Sequence, residues 1–92
     1  MQARSDIRQE AQQSVRTCDL YMAASLVTAG LRYADPEVTQ GRVYFSFANT
    51  DNQVTDLRKK YLSRSLQVDA LTMGDNVRSL KSRCAELTRK ER

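Results

Sequence analysis

Apolar residues along the chain change their period several times, and each change marks an element. Val43, Phe45 and Phe47 alternate with Tyr44, Ser46 and Ala48. Period two with aromatic and β-branched residues predicts a half-buried strand over 42–49, the centre of a small sheet. Upstream, Leu20, Ala23, Ala24 and Val27 share one helical face, with Thr17 or Asp19 as cap. A helix is therefore expected over 19–29. Gly30 would take the left-handed position after it, and Leu31 would fold back onto Leu26.

Leu31 to Asp35 reads as a short strand stopped by Pro36, which cannot donate to a ladder. Residues 36–41 then form the connection of an antiparallel hairpin between 31–35 and 42–49. Thr50 and Gln53 have capping-box spacing, so the next helix is expected over 51–63 with Val54, Leu57 and Tyr61 inward and Leu62 beside them. Residues 65–68 are extended and allow a third, short edge strand. Asp69 or Thr72 caps a last helix over 71–88, whose start Gly74 could delay to Asp75. Met73, Val77, Leu80, Cys84 and Leu87 form a heptad-like seam on it, preceded by Ala70. Before all this, Ile7, Ala11 and Val15 are spaced for one narrow helical stripe in an otherwise polar segment.

The expected fold is α+β: one small domain, an antiparallel β-hairpin packed by three to four helices. Its organisation is a polar arm over 1–16, helical if ordered, a domain over 17–88 and a charged tail over 89–92. The predicted core is Val43, Phe45, Phe47, Leu20, Ala24, Val27, Leu57 and Leu80. With 92 residues, such a core is thin, and oligomerisation is a common way to bury more apolar surface. The last-helix seam can face this core or the same helix of a second copy, so a homodimer is expected.

Charge divides the chain more sharply than hydropathy does. Its net +4 is spread unevenly. Residues 19–56 carry two arginines against five carboxylates, −3, whereas residues 57–92 carry ten Lys/Arg against four Asp/Glu, +6. Arg58, Lys59, Lys60 and Arg64 crowd the third helix; Arg78, Lys81, Arg89 and Arg92 fall within about 80° of each other on the last. Arg83 and Lys90 flank the apolar seam on the other side. Together Arg58, Lys59, Lys60, Arg64, Arg78, Lys81 and Arg89 are the candidate anion- or nucleic-acid-binding set. A solvated face, and cations suited to a helix C-terminus, explain the same residues without a ligand. Tyr44 is the one aromatic expected on the outer strand face for base stacking.

Chemistry is sparse. There is no histidine and there are two cysteines, Cys18 and Cys84. A zinc site needs about four such ligands, so no metal or cofactor is expected. The cysteines read as small buried apolar residues, with a disulfide between them as the alternative. Without histidine the commonest general base is missing. Asp35 with Glu37, or Asp51 with Asp56, is better explained by loop solubility and capping than by acid–base work. No catalytic residue is assigned and no enzyme is expected. No stretch of about 18 apolar residues occurs, and Met1 to Asp6 lacks the apolar centre of a signal peptide. A cytoplasmic protein with no membrane partner is expected.

Thr17 to Ala24 followed by Gly30, then Arg42 to Phe47, then Val68-Asp69-Ala70 before a helix with Leu80-Lys81-Ser82, resembles a small domain of unknown function from bacteria and their phages, DUF5659. The resemblance covers roughly residues 17–87. It implies no activity and no catalytic residues; it implies a phage or mobile-element setting, in host cytoplasm. The polar arm before Thr17 and the charged tail depart from it. Two functions follow as expectations: a non-catalytic interaction protein docking on a host protein or on itself, or an accessory protein binding DNA or RNA through the basic half. A small anionic ligand held between protomers is a third.

Overall fold

The alternating stretch is the central strand of a three-stranded sheet. A computed structural model describes residues 14–90 of the chain. The strands are β1 (Ser14–Thr17), β2 (Glu37–Thr39) and β3 (Arg42–Ala48), in the order β1-β3-β2. Both neighbours run antiparallel to β3. Val15 pairs with Phe47 and Thr17 with Phe45 on one side; Glu37 pairs with Tyr44 and Val38 with Val43 on the other. Val43, Phe45 and Phe47 are buried as the alternation requires. Three α-helices cover that face: α1 (Leu20–Thr28), α2 (Gln53–Leu62) and α3 (Ala70–Lys90). The architecture is thus the α+β arrangement expected, with three helices among the described residues.

Its strands are placed differently. Residues 14–16, expected in the polar arm, join Thr17 as an edge strand of the sheet, so the folded unit begins before Thr17. Val15 fits a helical stripe and a strand equally well in sequence; pairing with Phe47 decides between them. Ile7 and Ala11 lie outside the described residues. The hairpin strand is 37–39, not 31–35. Gln40 and Gly41 both have positive φ, 52° and 81°. That is the two-residue loop whose twist matches paired strands, so the connection needs two residues rather than six. Residues 31–35 still touch β3: Tyr33 bridges Phe47, and the Ala34 N–H donates to the Ser46 carbonyl at 2.9 Å. From Tyr33 to Glu37 is one residue longer than from Phe47 back to Tyr44. The extra residue bulges out at Ala34-Asp35-Pro36, where proline offers no donor. Tyr33 itself packs edge-on against Phe45 and Phe47, with ring centroids 5.0 and 6.2 Å apart.

Helix α1 forms as its punctuation demands. Asp19 Oδ1 accepts the Tyr21 and Met22 N–H groups at 3.0 and 3.1 Å. At the other end the Gly30 N–H donates to Val27 and the Leu31 N–H to Leu26. This paired closure needs a left-handed residue, and Gly30 supplies φ 107°. Met22 to Leu26 are all buried. The small side chains of Ala23, Ala24 and Ser25 let neighbouring elements approach closely, and the Ser25 hydroxyl is satisfied by the Tyr21 carbonyl at 2.8 Å. Leu20, Val27 and Leu57, expected in the core, are half-buried around it.

The capping box at Thr50 and Gln53 does not form. Thr50–Asn52 is a 3-10 turn, and Asp51 and Asn52 have φ of 54° and 61°. The left-handed pair turns the chain so that Asn49 takes over the cap. Its Oδ1 accepts the Val54 and Thr55 N–H groups at 2.9 and 3.2 Å, and its Nδ2 donates to Thr55 Oγ1 at 3.0 Å. Helix α2 ends by the same closure as α1, but Arg64 (φ 65°) stands where a glycine would be expected. The Ser65 and Leu66 N–H groups both return to the Lys60 carbonyl, at 2.8 and 3.1 Å. Chain wound back on a helix end cannot pair with a sheet, so 65–68 is no strand.

Asp69 caps α3: its Oδ2 accepts the Thr72 N–H at 2.8 Å and the Thr72 hydroxyl at 2.6 Å. With that cap in place the helix starts at Ala70 and runs through Gly74, rather than starting after it. It also continues to Lys90, into the segment expected to be a tail. Its 21 residues span about 32 Å. Asn76 Nδ2 donates to Thr28 Oγ1 at 2.9 Å, a polar link where α3 crosses α1.

Candidate interaction surface

The helices place the sequence-predicted residues in three groups. The seam of α3 faces its own chain: Leu80 is 3% exposed, and Met73, Val77, Cys84 and Leu87 pack half-buried against the core. The second group is on α2. Arg58, Lys59, Lys60 and Arg64 are all exposed, and none of them forms an ion pair with a described residue. The third is on the outer side of α3. Lys81 and Arg89 are exposed, while Arg78 is paired with Asp75 one turn away and Arg83 with Glu86. Arg92 lies outside the described residues. The α2 and α3 cations therefore stand on separate helices, each packed on α1.

Apolar residues outside the inward stripes are exposed as well. Leu62 is 67% exposed and Leu71 is 74% exposed. Leu62 was expected beside the inward stripe of α2. It follows Tyr61 by one residue, hence about 100° around the axis, and this carries it off the face that Val54, Leu57 and Tyr61 share. The two leucines close either end of the connection between α2 and α3, in which Leu66 and Val68 are half-buried. Tyr21 is a third exposed large side chain. Near it, the Tyr61 hydroxyl is pushed above its usual pKa by burial first, then by the charges of Asp19 and Tyr21. The C-terminal half of α2 thus lies against the start of α1.

The outer face of the sheet is engaged within the chain. The Arg16 guanidinium lies 4.3 Å from the centre of the Tyr44 ring and 3.5 Å from the Glu37 carboxylate. Arg16 and Glu37 thereby bridge the two edge strands across β3, and Tyr44 already has a cation on its face.

A third feature was not legible from spacing. An open cleft of about 500 Å³ is lined by Cys18, Leu20, Gly41, Arg42, Val43, Cys84, Ala85 and Thr88. It brings together the β1–α1 connection, the hairpin turn and the last turns of α3. Both cysteines are free thiols. Cys18, expected to be buried, is exposed because it falls in the connection after β1. Cys84 is half-buried, and desolvation raises its thiol pKa above the usual value. Arg42 Nη1 is 3.9 Å from Cys18 Sγ. No group of three or more Cys, Asp or Glu side chains suited to a metal ion occurs among the described residues. None of the described helices is long and apolar enough to cross a membrane. No protein-family model matches this chain, and neither a curated protein nor a solved structure matches it.

Proposed function

We propose that the protein is a non-catalytic interaction module that docks on an acidic protein surface through the corner between α2 and α3. The observation that carries this reading is the exposure of Leu62 and Leu71 at the two ends of the α2–α3 connection, with Arg58, Lys59, Lys60 and Arg64, which make no ion pair with a described residue, on its α2 side. Exposed aliphatic anchors with a charged rim are the usual division of work at a protein interface. Buried anchors supply most of the affinity, and rim charges set encounter rate and partner choice. The +6 charge of residues 57–92 selects a partner of opposite sign. The resemblance to small phage and mobile-element domains supports a host protein as that partner, in host cytoplasm. A homodimer formed at the same corner is the self-docking form of this proposal.

The test compares variants rather than captures alone. Leu62→Ser with Leu71→Ser should abolish capture of a nuclease-resistant partner, mainly through a faster off-rate. Lys59→Glu with Lys60→Glu should slow association and weaken its salt dependence. A partner retained by the serine variant would overturn the docking site.

A second reading is binding of DNA or RNA, favoured by the same unpaired α2 cations together with Lys81 and Arg89. Random duplex and single-stranded DNA distinguish the two. Each phosphate contact contributes a slope of about 0.7–0.9 in log affinity against log salt. Tight, sequence-independent binding with a steep slope would favour this second reading. Absence of binding at 100 mM salt, roughly the physiological range, would leave protein docking. Light scattering decides whether a second copy occupies the corner.

A further inference from the structure

The cleft carries an inference independent of that docking surface. Cys18 and Cys84 are 66 positions apart, yet the fold puts both into the lining of one open cleft. Its size, about 500 Å³, is that of a small-molecule site. Leu20, Val43 and Ala85 give it apolar walls, and Arg42 is the one charged residue lining it among the described residues. The Arg42 guanidinium makes no ion pair with a described residue; its recorded side-chain contact is the long one to Cys18 Sγ. Most of its five donors are therefore open to a planar anion. The thiols differ. Cys18 is exposed beside this cation, whereas Cys84 is half-buried and its burial disfavours the thiolate that attacks disulfides.

We infer that the cleft is a thiol-exchange site, in which Cys18 forms a mixed disulfide with a small carboxylate-bearing disulfide held by Arg42. In the exchange, Cys18 gives its proton to solvent and its sulfur attacks one sulfur of the small disulfide. That S–S bond breaks as the new one forms, and the departing thiolate takes up a proton. The cysteine is oxidised, one half of the small disulfide is reduced, and no other reactant is needed. The retained half lies along the apolar walls toward Cys84, with its carboxylate on Arg42.

The full chain is treated with glutathione disulfide, which carries carboxylates, and with 2-hydroxyethyl disulfide, which is neutral. Peptide mapping by mass spectrometry follows each thiol in the folded protein and in the chain unfolded in urea. Cys18 should react ahead of Cys84 in the folded protein only. Folding should also favour the anionic probe over the neutral one, by up to about fivefold, the factor an exposed guanidinium–carboxylate pair permits. Arg42→Gln should remove that preference and leave the melting temperature unchanged, since Arg42 is exposed. Cys84 reacting first, an equal probe ratio in folded and unfolded chains, or a preference that survives Arg42→Gln would each overturn the assignment.

Discussion

Helices α1 and α3 share the same core and use it in opposite ways. The nine residues of α1 carry no charge, and five consecutive ones are buried. The 21 residues of α3 are heavily charged, and Leu80 is the one buried residue among those whose side chains are described. Amphipathic pattern does not explain this, for α3 has the cleaner stripe. Position does. Helix α1 packs against β1, α2 and α3, so it has neighbours on several sides. Helix α3 packs on α1 and on β3 through one apolar stripe, leaving its other sides to solvent. Burial follows the number of elements packed around a segment, and its length matters less.

The sharpest way to break this contrast is to cut the core at the central strand and on the α3 stripe. Phe45→Ala removes a fully buried ring of the central strand and should cost about 3–5 kcal/mol, enough to unfold so small a chain. Val77→Ala, on the half-buried stripe of α3, should cost about 1–2 kcal/mol. Urea denaturation measures both; equal losses would mean that the α3 stripe is packed as deeply as the centre of the core.

Overpacking probes the same contrast from the other direction. Ala23→Leu inserts bulk where no space is open and should cost about 1–3 kcal/mol. Ser79→Leu, on the exposed side of α3, should stay within about 0.5 kcal/mol of the parent protein. A neutral Ala23→Leu would show that α1 does not lie close to its neighbours.

The helix ends give a third comparison. Helices α1 and α2 end with the same hydrogen bonds, on Gly30 in one case and Arg64 in the other. Gly30→Ala should cost about 1–2 kcal/mol, since a left-handed alanine is strained even with open space around its Cβ. Arg64→Gly should gain about 0.5–1 kcal/mol, relief of that strain less the added freedom of glycine in the unfolded chain. Calorimetric melting shifts of the same sign for the two variants would contradict a shared closure.

The smallest effect is at the start of α3. The Thr72 hydroxyl, and then its N–H, hold the Asp69 carboxyl below its usual pKa. A lowered folded-state pKa stabilises the fold above the unfolded value, near pH 4, and this contribution is lost as pH falls through the folded value. Acidification below pH 4 should therefore fray α3 from its N-terminus. Asp69→Asn keeps a capping oxygen without the titrating charge and should remove that part of the acid dependence. Circular dichroism melts across this window check the difference.

What was legible from the chain was whatever short-range chemistry specifies by itself. The alternation of Val43, Phe45 and Phe47 made a central strand. Asp19 and Gly30 bounded α1 because a carboxylate before, and a glycine after, a helical stripe satisfy end groups without distant help. Asp69 and the 3-4 spacing of Met73, Val77, Leu80, Cys84 and Leu87 gave α3 and its inward face. The cations of α2 were exposed where sequence put them.

Wherever two local solutions were nearly equal in energy, tertiary structure decided. Val15 suits a helix or a strand, and Phe47 across the sheet selected the strand. Residues 31–35 and 37–39 both resemble edge strands; the left-handed pair Gln40-Gly41 gave the ladder to the second, and Pro36 forced a bulge between them. Thr50 and Asn49 could each cap α2, and positive φ at Asp51 and Asn52 aimed Asn49 at the free N–H groups. The juxtaposition of Cys18, Arg42 and Cys84 has no trace in sequence spacing. It arises only when the hairpin turn folds over the β1–α1 connection and α3 closes the third side, because contacts between distant segments depend on packing geometry that no local pattern encodes.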